Sequence, residues 1–205
     1  PSVGPGAVLS EIIACGAVPV VRLDRIFRQS YGSRIAANAK LIRHGNLSLE
    51  YGEDFQFYDS CDMSASAQQI ETLYLQETAR YGVDNVALLT PYRQKTETGV
   101  NALNERLREK LNPQDGKKPE VAYRKRIYRL GDKVMQIKNN YQLEWEALSK
   151  YGFAIDRGTG VFNGDTGIIR EINDYKETMT VVYDEDKVVE YSFKILEELE
   201  LAYAI

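Results

Sequence analysis

Gly131-Asp132-Lys133-Val134-Met135-Gln136-Ile137-Lys138-Asn139-Asn140-Tyr141 decides the fold of the second half of the chain. Val134, Gln136 and Lys138 alternate against Met135 and Ile137. That period of two belongs to a strand, whose successive side chains point to opposite faces. Toward the C-terminus the same reading recurs at Gly167–Ile172, Met179–Tyr183 and Val188–Tyr191, with Asp184-Glu185-Asp186-Lys187 as a tight hairpin turn between the last two. Short strands separated by polar turns predict a small β-barrel over 120–200. Residues 141–160 break the pattern. Leu143, Trp145, Ala147 and Leu148 look helix-like, and Gly152, Gly158 and Gly160 follow, so the segment reads as a long loop or arm of undetermined role.

Toward the N-terminus the period changes. Ala7–Ala14 reads as a short helix stopped at Gly16. Ser33 is placed to cap a helix running to Gly45, with Ile35, Ala39 and Ile42 on one face. Ser64–Tyr81 is helical with Ile70, Leu73, Tyr74 and Tyr81 in register, and Gly82 ends it. Val100–Leu111 carries the stripe Val100, Leu103, Leu107, Leu111 and stops at Asn112-Pro113. Val18-Pro19-Val20-Val21-Arg22-Leu23 and Val86-Ala87-Leu88-Leu89-Thr90 are compact apolar runs of the kind found in buried parallel strands, and Phe55–Tyr58 is a shorter strand candidate. Strands alternating with helices predict an α/β domain with a parallel sheet over 1–119. Residues 113–119, polar with Gly116 and two prolines, read as the linker to the strand-rich part.

Composition excludes more than it assigns. No apolar run approaches the roughly 20 residues of a membrane-spanning helix, so no membrane contact is expected. Cys15 and Cys61 form no CxxC pair, and a reduced, cytoplasmic setting is expected. The chain opens Pro1-Ser2-Val3 without an initiator Met, which reads as a piece of a longer protein. His44, the sole histidine, sits beside Gly45 at a helix end, where histidine is a routine cap. There is no GxxxxGK[ST] phosphate loop, no nucleophile elbow and no carboxylate cluster with metal-ligand spacing, so the chain alone is expected to hydrolyse no ATP and hold no metal. The net charge of −4 argues against simple polyanion binding, yet its distribution is uneven: residues 117–138 hold eight lysines and arginines against two acids. Such a stripe suits phosphate contact and equally suits a solvated linker.

Several segments, in order, resemble a RecD-like superfamily 1 DNA helicase, the exodeoxyribonuclease V alpha subunit family. Pro1-Ser2-Val3-Gly4-Pro5-Gly6 resembles the tail of the motif that couples ATP to DNA. Val20-Val21-Arg22-Leu23-Asp24-Arg25-Ile26-Phe27-Arg28-Gln29 resembles motif IV, and Val86 to Arg93 resembles the strand after it. The run 131–141 and Val161-Phe162-Asn163-Gly164-Asp165-Thr166-Gly167 resemble the SH3-like insertion, and Leu199 to Ile205 the strand leading to motif V. The resemblance implies a partial RecA-like motor domain of the P-loop NTPase type (1–119), an inserted SH3-like β-barrel (120–200) and a return strand (201–205). The function it implies is 5′–3′ translocation on single-stranded DNA in repair or recombination. A parent enzyme would use ATP and Mg²⁺ and close on an N-terminal motor domain of the same chain. The rival is a non-catalytic module binding nucleic acid or protein. Nothing resembles a nuclease metal site.

The site residues follow from the same resemblance. Arg28 would reach across the cleft to the γ-phosphate, where a permanently charged planar guanidinium stabilises developing charge, and Gln29 would orient it. Tyr92 and Arg93, just past a strand end, would meet a base and a phosphate of single-stranded DNA; packing on the next helix is the competing reading for Tyr92. Lys133, Lys138, Asn139 and Asn140, beside the Asn163-Gly164-Asp165 turn, form a candidate DNA-contact surface, with turn chemistry as the alternative for the asparagines.

Overall fold

The computed structural model describes residues 6–21, 32–94, 96–149 and 153–205. The chain divides into two compact units, Pro1–Tyr58 and Asp59–Ile205.

In the first unit, helix α1 (Val8–Cys15) ends on Gly16 in the left-handed conformation, φ 68°. Helix α2 (Arg34–Arg43) begins after Ser33, but the Ser33 hydroxyl makes no cap bond to the helix. Asp54 performs that job from the following loop. Its Oδ2 accepts from the Arg34 amide at 2.8 Å and from Ser33 Oγ at 3.2 Å, and its Oδ1 accepts from Arg34 Nη1 at 3.1 Å. Asn38 is fully buried and pairs its amide with the Glu50 backbone, donating to the carbonyl at 2.7 Å and accepting from the N–H at 2.9 Å. The expected strand at 18–23 is not found: its described residues 18–21 carry no strand and Val21 is 86% exposed. Ile35 and Ile42 are also exposed, and Phe55–Tyr58 contributes only an isolated bridge from Phe55 to Gly52. An apolar run becomes a buried strand only when neighbours pair its edges and cover its faces.

The second unit has a helical layer and a sheet. Helix α3 (Met63–Tyr81) starts on Asp62, whose Oδ1 accepts from the Ala65 amide, and helix α4 (Val100–Leu111) follows after a short 3-10 turn at Val83–Asn85. Tyr74, Leu103 and Leu107 pack with Tyr203 and Ala204, and Ile70, Val86, Leu88 and Leu111 flank them. The anticipated α4 stripe is thus the one that is buried.

Strands β1 (Glu120–Tyr123) and β2 (Arg126–Arg129) form a separate antiparallel hairpin. The remaining strands are β3 (Lys133–Gln136), β4 (Asn140–Leu148), β5 (Ala154–Val161), β6 (Thr166–Asn173), β7 (Thr178–Tyr183), β8 (Lys187–Ser192) and β9 (Leu199–Leu201). They make one antiparallel sheet in the order β5-β4-β8-β7-β6-β3-β9. Tyr128, Val134, Ile169, Met179, Val181, Val189, Tyr191, Leu196 and Leu199 form its core.

Three expectations are corrected here. The parallel RecA-like sheet is absent among the described residues: every ladder is antiparallel, and Val86–Thr90 is not a strand. Leu88 and Thr90 exchange backbone hydrogen bonds with Ile205 alone, in the pattern of parallel neighbours, which is one contact and no ladder. The barrel is an open sheet, with β5 and β9 at its two edges. The 141–160 arm is an antiparallel hairpin of β4 and β5, in which Trp145 lies opposite Gly158. A Cβ at Gly158 would collide with the Trp145 ring, so the glycine read as loop punctuation is a seat for the indole.

Tyr74 offers a test of this packing. Its hydroxyl is buried without a hydrogen-bond partner, and burial, with Asp84 adding to it, pushes its pKa up to about 12. Tyr74→Phe removes an unsatisfied hydroxyl, and we expect stability unchanged or raised by about 1 kcal/mol. The sign with pH follows from the raised folded-state value. The unfolded tyrosine loses its proton near pH ~10, so wild-type stability falls as pH rises from there toward about 12. Urea unfolding at pH 8 and pH 11 should show a smaller alkaline loss for the phenylalanine variant.

Candidate nucleic-acid interface

The turn joining β1 to β2 is Arg124-Lys125, and Arg124 sits at φ 55° in the left-handed region that glycine would occupy at lower cost. A long cation held in that conformation is presented outward at the tip. Tyr123, Arg124, Lys125, Arg126 and Lys138 line a cavity of about 430 Å³ together with a single carboxylate, Glu197. Glu197 organises the group. Its Oε2 accepts from Tyr123 Oη at 2.7 Å and pairs with Arg124 Nη2 at 2.7 Å, and its Oε1 lies 3.8 Å from Lys138 Nζ. The Tyr123 hydroxyl first, then Arg124, holds this carboxyl below its usual range. The Arg124 guanidinium stands 5.1 Å over the Tyr123 ring. Arg126 is fixed by donating to the Leu199 carbonyl at 2.7 Å and pairs with Glu200. Four cations and one aromatic face therefore converge, with one carboxylate in the lining to balance them. Such a set suits a phosphate backbone with a base stacked beside it.

Lys138 lines this cavity with the hairpin tip, rather than a surface shared with Lys133 and the 163–165 turn. Lys133 does not, and this corrects its reading as a surface contact: it is 4% exposed, and its Nζ donates to the carbonyls of Val83 at 2.6 Å and Val86 at 3.2 Å. Burial pushes its pKa down, against the opposing pull of Asp84 and Asp184. β3 is paired on both sides and covered on both faces, so its lysine turns to backbone carbonyls.

The asparagines are brought next to the 163–165 turn. Asn139 Oδ1 accepts from the Asn163 amide at 2.9 Å, Gly164 N–H donates to the Gln136 carbonyl at 2.9 Å, and Asp165 Oδ2 accepts from the Phe162 amide at 2.8 Å. Asn140 Nδ2 donates to Glu198 Oε2 at 3.0 Å, and Gln136 Nε2 donates to the same oxygen at 3.0 Å. Tyr191 Oη in turn donates to Gln136 Oε1 at 2.9 Å and shares a 2.6 Å bond with Tyr183 Oη. These amides are engaged in holding the fold. Tyr92 is 52% exposed, and Arg93 turns to Glu200. Arg28 and Gln29 lie outside the described residues.

Residues 103–183 match the family model of the ATP-dependent RecD-like DNA helicase SH3 domain. The match begins inside α4 and ends with β7, so the matched segment includes the basic hairpin tip and Lys138. Sequence reading singled out Lys138 in this cavity, counted Arg124, Lys125 and Arg126 only as members of the basic stripe, and passed over Tyr123 and Glu197. The signal was the Tyr-Arg-Lys-Arg run within the basic stripe, where a two-residue turn concentrates charge. Among the described residues no three His, Cys, Asp or Glu side chains are grouped to hold a metal ion, and no helix is long and apolar enough to cross a membrane.

Proposed function

We propose that this chain is part of an ATP-dependent DNA helicase and that its SH3-domain segment holds single-stranded DNA on the β1–β2 tip. The observation that carries this is the convergence of Arg124, Lys125, Arg126, Lys138 and Tyr123 in one cavity within the matched segment. The cations would take successive phosphates and Tyr123 would offer a ring to a base, a mode tolerant of sequence. Tyr92 and Arg93 would extend the path. Translocation 5′ to 3′, a role in repair or recombination, a cytoplasmic setting, and closure on an N-terminal motor domain are part of the same proposal. ATP and Mg²⁺ enter it as ligands of a longer protein, to which Arg28 and Gln29 would contribute. The chain has no GxxxxGK[ST] loop of its own.

Binding of a labelled dT oligomer by the chain over a salt series tests the proposal. Lys138→Ala should reduce the log–log salt slope by roughly 0.7, the value for one lost single-strand phosphate contact. Lys133→Ala should leave the slope unchanged and lower the melting temperature instead, because its buried ammonium donates to two backbone carbonyls. A slope insensitive to Lys138 would place the DNA elsewhere.

The absence of a parallel ladder among the described residues favours a second reading, a non-catalytic binding module. DNA-stimulated ATP turnover by a longer protein containing this chain decides between them. The module reading predicts none.

A further inference from the structure

A second groove adjoins the hairpin tip. Arg93, Arg108, Lys125 and Arg126 line it with two carboxylates, Glu105 and Glu200, in a volume of about 440 Å³. Its frame is rigid. Asn104, 5% exposed on α4, donates to the carbonyls of Leu201 at 3.2 Å and Ala204 at 2.8 Å and accepts from the Ala204 amide at 2.9 Å. Arg108 Nη1 donates to the Ile127 carbonyl at 2.9 Å, while its buried Nε has no hydrogen-bond partner. Arg93 and Arg126, 33 positions apart, both reach Glu200: one guanidinium takes Oε2 and the other Oε1. The carboxylate is enclosed, with its side chain 13% exposed, whereas the two arginine side chains are 61% and 41% exposed.

Two guanidiniums converging on two oxygens of one anion is also how a phosphate is held through its non-bridging oxygens. We infer that this groove is a phosphate-binding site in which Glu200 occupies the place of the phosphate until a phosphodiester takes over Arg93 and Arg126. The guanidiniums are open enough to solvent for an incoming anion to reach them, and its contacts must offset the cost of leaving the enclosed Glu200 carboxylate unpaired. Lys125 lines both cavities and would join the two into one backbone track. The identity of the phosphate as single-stranded DNA rests on the function proposed above. The anion site itself requires only the cations.

Glu200→Gln tests it, because the amide keeps the shape of the side chain and removes its charge. Two probes are used in parallel, inorganic phosphate and a labelled dT oligomer, alongside the melting temperature. The expected result is tighter binding of both probes, about 5-fold per released cation for the oligomer near 0.1 M salt, with a salt slope steeper by roughly 0.7 for each. Adding Arg93→Gln should cancel much of the gain. A gain for phosphate without one for the oligomer keeps the site and removes DNA as its ligand. Unchanged or weaker binding of both probes with a lower melting temperature would overturn the inference and make Glu200 a structural ion pair. Should Glu200→Gln fail to fold, Arg93→Gln in the otherwise unaltered chain decides: the site requires weaker phosphate binding, and equal binding refutes it.

Discussion

Asp132→Ala is expected to lower the free energy of unfolding by about 3–5 kcal/mol, since each buried donor left unsatisfied costs about 1–3 kcal/mol. Asp132 is fully buried. Its Oδ1 accepts from Asn112 Nδ2 at 2.8 Å and Tyr203 Oη at 3.1 Å, and its Oδ2 accepts from the Arg129 amide at 2.8 Å. Alanine would strand three donors away from water. The loss would spread, because Asn112 also accepts from Lys118 Nζ at 2.8 Å, and Arg129 is held by Glu120 Oε1 at 2.6 Å and Glu109 Oε1 at 3.2 Å. The network thus ties the end of α4, the 113–119 loop, the hairpin and the C-terminal segment together. Asp132→Asn keeps an acceptor for part of this set and should cost less. Burial raises the Asp132 pKa, with the hydrogen bonds from Asn112 and Arg129 opposing it. For an acid whose folded-state value is raised, stability falls as pH rises from the unfolded value of about 3.9 to the folded one. This group alone therefore favours the folded state most below that window. Trp145, the sole tryptophan, lies in the sheet and reports unfolding in urea at neutral pH. A loss under about 1 kcal/mol, the net worth of a single ordinary hydrogen bond, would show that water replaces the carboxylate.

Reversing three cations of the hairpin cavity, Arg124→Glu with Lys125→Glu and Lys138→Glu, is expected to weaken dT-oligomer binding by about 100-fold near 0.1 M salt. Each single-strand phosphate contact contributes roughly 0.7 log unit per decade of salt, so three contacts give about two log units. The reversed charges would also face Glu197, which now pairs with Arg124 and Lys138. The neutral pair Arg124→Gln with Lys125→Gln separates lost attraction from disturbed folding. It should lose about 25-fold by the same arithmetic, with a near-native melting temperature. Full binding by both variants would move the DNA path away from this tip.

What the sequence discloses differs by element. β6, β7 and β8 were legible because alternation and turn residues coincide there, with Asp184–Asp186 closing the hairpin as a 3-10 turn. α3 and α4 were legible because an apolar stripe ends at Gly82 in one case and at Asn112-Pro113 in the other. β4 was misread because Leu148 beside Ala147 suggests a helical face, although Leu143, Trp145 and Ala147 already alternate toward the interior. Val86–Thr90 has strand composition, but composition does not provide a neighbour, and among the described residues it shares backbone–backbone hydrogen bonds with Ile205 alone. The alternation of β3 was right, yet a single strand cannot say that both its faces will be covered, and so Lys133 was placed in water. For the interface, the charge run pointed to the region. Which cations converge depends on a turn at Arg124-Lys125 and on Glu197, 73 positions further along the chain.

The sheet that does not close has a consequence for self-association. β5 leaves one row of backbone donors and acceptors facing water over Ala154–Val161, a template onto which the same strand of another copy could add. Asp156, Arg157, Gly158 and Gly160 make it a poor template, since charged side chains must desolvate and glycines resist a flat, extended partner. Arg157 Nε pairs with Glu146 Oε1 at 3.0 Å in full view of solvent, adding little to stability and much to the cost of covering that edge. Asp156 and Arg157 would thus disfavour strand addition at this edge, an effect independent of any ligand.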